Sequence, residues 1–382
     1  DYYALSKVFS EMAVFDSGLK YWVSIRQTGQ HPSNSAAGNL PIITHQSPNN
    51  VLEWATSIES GICMANLCED WVPENFWRKA YNLSSGEGYR LTTWELMDIN
   101  LGAFNIGLKD VHDSKHLAKY NFHGQYYTDS KALDDILHFR CIPAEAYWEG
   151  VREEMRRMAR NPMIASRFPT AEQMFENNKQ IGHKRMGTYW MIENNEEDWI
   201  KAFYGSREQF ENIPDWDEYK LYHPSEEETF LDHGYDESKT LEELTLEDLQ
   251  GIAKFRGGEC LAEEVKDIYT PIKWKSAEGY EFEMSINAVV QGGHWAPECL
   301  KEAWTYGTQA KYNPFLGQVW WPIHPETDDY SIKMEYSAYD ICNELKEKLG
   351  LKEKLRRTVR EVIHVRAIRV HEAEGAVAKA EE

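Results

Sequence analysis

The chain opens with a pattern that predicts a helix, a tight turn and a strand in that order. Apolar residues at helical spacing (Leu5, Val8, Phe9 and Met12) give the first segment one apolar face. A turn is predicted at 16–18, where the sequence is Asp-Ser-Gly. Residues 21–25 (Tyr-Trp-Val-Ser-Ile) have the aromatic and β-branched content of a buried strand. A loop over 26–29 then opens at the C-terminal end of that strand.

Tyr3 and Lys7 lie on this first helix, four residues apart, and therefore project from the same face. Such a pair can support redox chemistry, because a phenol hydroxyl can act as acid or base and a neighbouring ammonium lowers its pKa. The spacing alone is weak evidence, since the chain repeats it at three other places: Tyr127/Lys131, Tyr235/Lys239 and Tyr269/Lys273.

The surrounding sequence separates the first pair from its copies. Pro271 lies inside the Tyr269 copy and would break a helix. The Tyr235 copy follows Gly234 in an acidic, turn-like run. We therefore select Tyr3 and Lys7 as the candidate catalytic residues; the alternative is an ordinary pair on a helix surface.

The order of these elements resembles the extended short-chain dehydrogenase/reductases, the NAD-dependent epimerase/dehydratase family. A later strand that leads into a glycine turn over 81–88, and a helix from Leu91, add to the resemblance, which extends over roughly the first hundred residues. The resemblance implies an α/β fold. In that fold the chain forms the C-terminal part of a Rossmann-type, doubly wound sheet, followed by α+β C-terminal extensions.

The same resemblance implies an NAD(P)-dependent oxidoreductase, either a reductase/dehydrogenase or an epimerase, acting on a carbonyl or hydroxyl of a small molecule. Tyr3 would deliver or remove a proton, and Lys7 would lower its pKa and hydrogen-bond the nicotinamide ribose. Gln27 and Thr28 would lie beside the nicotinamide of NAD or NADP. His31 could reach the substrate cavity, although we expect a solvated loop residue at this position.

One part of the resembling enzymes is missing from this sequence. Their glycine-rich dinucleotide turn and catalytic Ser/Thr precede the Tyr-x-x-x-Lys helix, whereas only two residues precede Tyr3. That turn lets the backbone approach the pyrophosphate at a helix N-terminus. We therefore expect an N-terminal cofactor-binding half as a partner, upstream or on a separate chain, within a homo-oligomer. The alternative is a non-catalytic binding or scaffold protein derived from such an enzyme.

Composition restricts the partners. The chain has 41 basic and 63 acidic residues and a formal charge of −22, which argues against nucleic acid and anionic membranes, because both are polyanions. It contains no apolar stretch long enough to span a bilayer and no visible signal peptide. Its six cysteines are scattered, which favours reduced thiols and a cytoplasmic location.

Histidine and cysteine positions do not predict a metal site in the first half of the chain. His112, His116 and His123 have intervals that suit one helix face, but the sequence between them breaks that helix. We expect these histidines to be exposed or hydrogen-bonded. Cys63 and Cys68 are expected to be small core residues on a helix that Ser57 or Ser60 caps.

A second resemblance lies further along the chain, to treble-clef or zinc-ribbon modules. The frame is kept at Trp274, Gly279, Phe282, Trp295 and Pro297. Such modules close a tetrahedral zinc site with four ligands. Ser276, Tyr280 and Ala296 occupy three of the four ligand positions and do not supply the usual Cys or His. Cys299 is the one zinc-ligand residue that remains. We therefore expect a metal-free structural or interaction module; the alternative is a substitute metal site made by Cys260, His294 and Cys299.

These patterns divide the chain into four regions. Residues 1–160 form the reductase-like part, with a boundary somewhere between 143 and 169, and 161–255 form a mostly helical, acidic and aromatic-rich region. Residues 256–330 form the degenerate treble-clef-like module, and 331–382 form C-terminal helices and a tail. The elements predicted within these regions are strands over 51–54, 76–83, 116–127 and 186–192, and helices over 57–69, 91–104, 129–140, 144–161, from 169, over 240–255, and over 339–349 and 352–373.

Overall fold

The computed structural model describes residues 2–31, 44–120, 126–224, 232–300 and 303–312, with short pieces at 317, 320–321, 325–326 and 331–333. Within these ranges the chain has a mixed α/β fold, in which helices surround small sheets. The predicted α/β class is therefore confirmed at this level. The C-terminal helices predicted over 339–373 lie outside the described residues.

The helices and strands of the described part are as follows. The helices are α1 (Tyr2–Phe15), α2 (Ser57–Asn66), α3 (Thr93–Leu101), α4 (Leu108–Val111), α5 (Ser130–Leu137), α6 (Ala144–Arg160), α7 (Pro162–Ala165), α8 (Ala171–Gly182), α9 (Thr188–Glu193), α10 (Glu197–Tyr204), α11 (Arg207–Glu211), α12 (Leu246–Phe255) and α13 (Tyr306–Tyr312). The strands are β1 (Val23–Gln27), β2 (Gln30–His31), β3 (Val51–Glu53), β4 (Ala55–Thr56), β5 (Lys79–Leu83), β6 (Arg90–Thr92), β7 (Glu259–Cys260), β8 (Ile272–Lys275), β9 (Glu281–Met284), β10 (Ala303–Thr305) and β11 (Ser331–Lys333).

The predicted helix, turn and strand at the start of the chain are present. Gly18 adopts φ +70°, a left-handed conformation that glycine reaches without steric cost, and it turns the chain from α1 toward β1. The strand is less buried than predicted: Tyr21 is exposed and precedes it, and Arg26 and Gln27 are exposed at its end. The strand therefore has one half-buried stretch rather than a continuous buried core.

Five small sheets hold the described strands together, and none of them has more than three strands. β1 pairs in parallel with β5, so that Val23 lies opposite Lys79 and Gln27 lies opposite Leu83. Thr28 continues this pairing by donating its backbone N–H to Leu83 O at 3.2 Å. The C-terminal ends of the two parallel strands consequently meet at one edge. The other sheets are β2–β4, parallel, and β3–β6, β7–β8–β9 and β10–β11, antiparallel.

Helix starts follow local capping chemistry. Thr92 accepts from the backbone N–H of Glu95 while the Glu95 carboxylate accepts from Thr92, as the predicted cap at the start of α3 requires. Thr245 forms the equivalent box with Asp248 at α12. The cap of α2 is Thr56, not Ser57 or Ser60, because Thr56 has the extended backbone that a cap needs.

Three local predictions are wrong. Residues 186–192 contain the helix α9 rather than a strand; the hydroxyl of Thr188 donates to His116 O at 2.7 Å, and this tertiary contact overrides the strand preference of the aromatic residues. Residues 117–120, which were predicted as part of a strand, have no strand pairing, and 121–125 lie outside the described residues. Cys68 is exposed beyond the end of α2, whereas Cys63 is buried as predicted.

The main apolar core joins the two ends of the described chain. Met12 and Phe15 of α1 pack in one cluster with Trp274, Phe282 and Met284 of the β8–β9 hairpin. A second core lies under β1, β5, α2 and α5, and further cores lie around Tyr89 and around the helices that follow residue 188. The first helix is therefore packed against the C-terminal module, although more than two hundred residues separate them in sequence. Among the described helices, none is both long and apolar enough to cross a membrane.

Candidate active site

Tyr3 and Lys7 lie within a single helix, α1, and the side chain of Lys7 is exposed. The side chain of Tyr3 lies outside the part of the chain that the structure describes. None of the three copies lies within one helix. Tyr127 precedes α5, Tyr235 and Lys239 lie in turns, and Tyr269 lies in a loop before Lys273 of β8. The structure thus supports the distinction that the surrounding sequence predicts.

Two side-chain contacts connect α1 with the chain segment that contains β1. At one end the rings of Phe15 and Trp22 lie 4.5 Å apart between centroids. Four residues further along each element, Glu11 accepts a hydrogen bond from Arg26 Nε at 3.1 Å. Lys7 lies about 6 Å beyond Glu11 along the helix axis, and Tyr3 a further turn beyond that. The contact of Glu11 with Arg26 thus brings α1 close to the C-terminal part of β1.

Gln27 and Thr28 lie at this end of β1. Gln27 donates through Nε2 to the hydroxyl of Ser60 in α2 at 2.8 Å. Thr28 is only 6% exposed, and its hydroxyl has no hydrogen-bond partner among the described residues. A buried hydroxyl without a partner costs about 1–3 kcal/mol.

An ion cluster fixes α1 to its surroundings. The carboxylate of Glu11 lies between Arg26 and His294, with His294 Nε2 at 3.3 Å. Burial would raise the pKa of Glu11, but its contacts with His294 and Arg26 outweigh it and lower the pKa to about 2. Arg26 also donates to Gly292 O at 2.6 Å. Glu11 therefore stays ionised at neutral pH and links α1, β1 and the C-terminal module.

His31 is buried, so the prediction of a solvated loop residue is wrong. It is 4% exposed because β2 pairs with β4 and turns the ring inward. Its Nδ1 is hydrogen-bonded to the Tyr147 hydroxyl at 2.9 Å, and its ring centroid lies 5.0 Å from that of Trp148. Burial lowers the pKa of His31, and a hydrogen bond to Asn100 opposes that shift. The imidazole therefore favours its neutral form, in an aromatic setting that the local sequence does not show.

His112 and His116 form a buried pair. Their Nδ1 atoms are 2.7 Å apart, so that one imidazole donates a hydrogen bond to the other. Burial, together with the neighbouring imidazole, lowers the pKa of His112 to about 3. Of the two outcomes predicted for these histidines, hydrogen bonding is confirmed and exposure is wrong; His123 lies outside the described residues. In the described part of the chain, no group of three or more His, Cys, Asp or Glu side chains is arranged to hold a metal ion.

The aromatic frame of the C-terminal module is assembled around one hairpin. Trp274 is 0% exposed, and its Nε1 donates to Met284 O at 2.9 Å across β8 and β9. The Trp295 ring contacts both Trp274 and Phe282, at centroid distances of 5.6 and 5.0 Å. These contacts make the frame a packed aromatic core.

The positions that correspond to zinc ligands also lie together. Cys299 Sγ is 3.6 Å from Ser276 Oγ, and the same hydroxyl accepts from the Tyr280 backbone N–H at 3.3 Å. Cys299 also donates to the Glu278 carboxylate at 3.2 Å. Burial raises the pKa of the Cys299 thiol to about 11, with a further contribution from Glu278 and against a lowering effect of Ser276. The thiol of Cys299 is therefore neutral and hydrogen-bonded. His294, which the substitute metal site would also use, contacts Glu11.

The sequence pattern does not predict that Glu11, Arg26 and His294 share one site. The only local indication is that Glu11 continues the four-residue spacing of Tyr3 and Lys7 along α1. Nor does the pattern predict Glu53, a fully buried carboxylate that pairs with Arg90 at 2.9 Å and accepts from the Ser84 hydroxyl. This pair lies between β3 and β6 and supports the strand ends near the site.

Comparisons with known proteins leave the site to be judged on its own geometry. No family model, curated protein or solved structure matches this chain.

Proposed function

We propose that this chain is part of an NAD(P)-dependent oxidoreductase of the extended short-chain dehydrogenase/reductase type, acting on a carbonyl or hydroxyl of a small molecule. One observation supports the proposal: Glu11, on the helix that carries Tyr3 and Lys7, contacts Arg26, which directly precedes Gln27 and Thr28. The catalytic candidates and the cofactor-binding candidates thus belong to one helix–strand unit.

The parallel pairing of β1 with β5 supports the same proposal. In open α/β sheets, ligands bind at the C-terminal ends of parallel strands. Thr28 lies at that end, with a buried hydroxyl available for a ligand. In the proposal, β1 and β5 belong to a Rossmann-type sheet that is completed by an N-terminal half, either an upstream segment or a separate chain.

The residues of this chain have distinct roles in the proposed reaction. A nicotinamide cofactor, when bound, supplies or accepts the hydride. Tyr3 delivers a proton to the substrate oxygen when a carbonyl is reduced and removes one when an alcohol is oxidised. The ammonium of Lys7 lowers the pKa of the phenol and binds the nicotinamide ribose. Gln27 and Thr28 contact the nicotinamide.

The proposal also specifies the setting of the protein. The partners are a small-molecule substrate, the N-terminal half and further copies of the chain. The charge of −22 makes nucleic acid an unfavourable partner. A cytoplasmic location agrees with the free cysteines found throughout the described residues.

Binding of NADH and NADPH to the purified native assembly tests this function, with intact masses measured on the same sample. We expect binding, together with a second polypeptide or an upstream segment in the mass spectrum. A lone 44.5 kDa chain that binds neither cofactor would contradict the proposal and favour the scaffold alternative.

A further inference from the structure

We propose that Glu11 is a positioning residue, through which the segment 289–295 of the C-terminal module holds α1 in register with β1. The catalytic meaning of this inference rests on the proposed function, whereas the structural part does not. Glu11 follows Lys7 by four residues and Tyr3 by eight, so all three share one side of the helix. Glu11 anchors the helix to Arg26.

The Glu11 carboxylate contacts both β1 and the C-terminal module. The side chain is 14% exposed and is held from two directions. Arg26 Nε approaches both carboxylate oxygens at 3.1 Å, and His294 Nε2 approaches Oε1 at 3.3 Å. Because one partner belongs to β1 and the other to the C-terminal module, a single carboxylate fixes α1 against both.

Hydrogen bonds and a ring contact hold the segment 289–295 in place. The buried guanidinium of Arg256, the residue after the end of α12, donates to Val289 O at 3.3 Å and to Gly293 O at 3.2 Å. It also lies over the Trp295 ring, 5.2 Å from the centroid. His294 is held further by its backbone N–H, which donates to Ala288 O at 3.0 Å. The imidazole therefore approaches Glu11 from a segment that is fixed independently of α1.

The segment 289–295 also lies in close contact with α1. At Gly292, an added Cβ would lie 2.6 Å from Ala288 O and 3.1 Å from Cζ of Phe15. The Phe15 ring also contacts the His294 ring edge-on, with 5.4 Å between centroids. Glycine is thus needed chiefly for the tight turn of this segment against Ala288 O, with Phe15 in close contact, and Arg26 donates to the carbonyl of that same glycine.

The Glu11 contact affects the distance between the catalytic candidates on α1 and the cofactor-binding candidates after Arg26. Arg26 directly precedes Gln27 and Thr28, so the strand residue that Glu11 contacts is adjacent to the cofactor-binding candidates. Any shift of α1 along β1 would move Lys7 relative to Gln27 by the same amount. The C-terminal module consequently belongs to the catalytic unit, because it supplies His294 and the carbonyl of Gly292 to the contact that sets this register.

The test measures hydrogen exchange of α1 amides in the native assembly, with and without NADPH. In Glu11→Gln, we expect exchange in α1 to rise by roughly tenfold, as follows from loss of a charged hydrogen bond. The protection that NADPH gives to α1 in the parent should be lost, with little change at α6. Glu11→Asp should restore part of it. Glu197→Gln, which disrupts a similar contact with Arg207, serves as the matched control and should leave α1 unchanged.

A second variant covers the case in which Glu11→Gln does not fold. His294→Gln removes one contact and leaves the Arg26 pair, so faster exchange confined to α1 is expected there as well. Unchanged exchange in both variants, or equal increases in α1 and α6, would overturn the positioning role. A parent protein that binds neither NADH nor NADPH would defeat the proposed function, and α1 exchange without cofactor would then decide the structural part alone.

Discussion

Glu11 Oε1 in α1 lies 3.1 Å from Arg26 Nε in β1, next to the strand end that holds Gln27 and Thr28. This contact, together with His294 on the other side, relates the first helix to both the strand and the C-terminal module. A carboxylate held by the guanidinium of Arg26 stabilises the fold only while it is ionised, and that leads to a pH dependence.

The Glu11 contact should make stability depend on acid pH. Its pKa is lowered from 4.5 to about 2 in the folded protein, so the unfolded chain takes up a proton first as the pH falls. The contribution of Glu11 is therefore present above pH 4.5 and is lost as the pH falls toward 2. Urea unfolding at a series of pH values should show a smaller decline for Glu11→Gln than for the parent. Parallel curves would contradict the shift.

Tyr3→Phe should abolish turnover while cofactor binding remains nearly unchanged, because the phenol oxygen transfers the proton. Loss of a general acid or base typically lowers the rate by about 10²–10⁴-fold. Lys7→Ala should weaken both turnover and NADPH binding. Matched controls are Tyr269→Phe and Lys273→Ala, since this pair has the same spacing but does not lie within one helix. Steady-state rates and NADPH titrations distinguish the variants; equal rates for Tyr3→Phe and the parent would refute the assignment.

The buried pair His112 and His116 should remain neutral well below the ordinary histidine range. Their pKa values are lowered from 6.5 to about 3 and about 4, chiefly by burial. Because the unfolded chain binds these protons first, the pair contributes stability above pH 6.5 that is lost as the pH falls toward 4. Imidazole NMR signals of both residues, followed from pH 7.5 to 4.5, should stay those of neutral rings. Protonation of both near pH 6 would contradict the prediction.

Truncation of Trp274 should destabilise the C-terminal module strongly. The ring is fully buried, and its Nε1 donates to Met284 O. Trp274→Ala should lower the free energy of unfolding by about 3–5 kcal/mol, as large aromatic truncations in cores do. Tyr280→Ala is the control, because that side chain in the same hairpin region is 47% exposed. Denaturant unfolding compares the two; similar losses would mean that the aromatic frame is not the core of the module.

Cys299 should react slowly with alkylating reagents. Its thiol pKa is raised to about 11 by burial and by Glu278, so little reactive thiolate exists at pH 8. Cys68, which is exposed, should be labelled first. Glu278→Gln removes the negative charge and should speed the labelling of Cys299 without changing that of Cys68. Peptide mapping after timed iodoacetamide treatment gives both rates, and faster labelling of Cys299 than of Cys68 would refute the environment described.

The local part of this fold follows directly from the sequence. The capping boxes of Thr92 with Glu95 and Thr245 with Asp248 link residues three positions apart, and α1 follows from its apolar spacing. Such features depend on neighbours within one helical turn, so sequence patterns contain the information for them. The unsuitable surroundings of the other Tyr-x-x-x-Lys pairs follow for the same reason.

Contacts between distant segments decided the remainder. His31 is buried because Tyr147 and Trp148 come to it from more than a hundred residues away, and 186–192 became a helix in contact with His116. Glu11 joined Arg26 and His294 only once α1 had packed on the C-terminal module. Spacing within the chain gives no measure of such distances, because they are set by how apolar faces pack in three dimensions. The sequence alone determined which residues could act as acid, base or anchor; the tertiary structure determined which of them lie together.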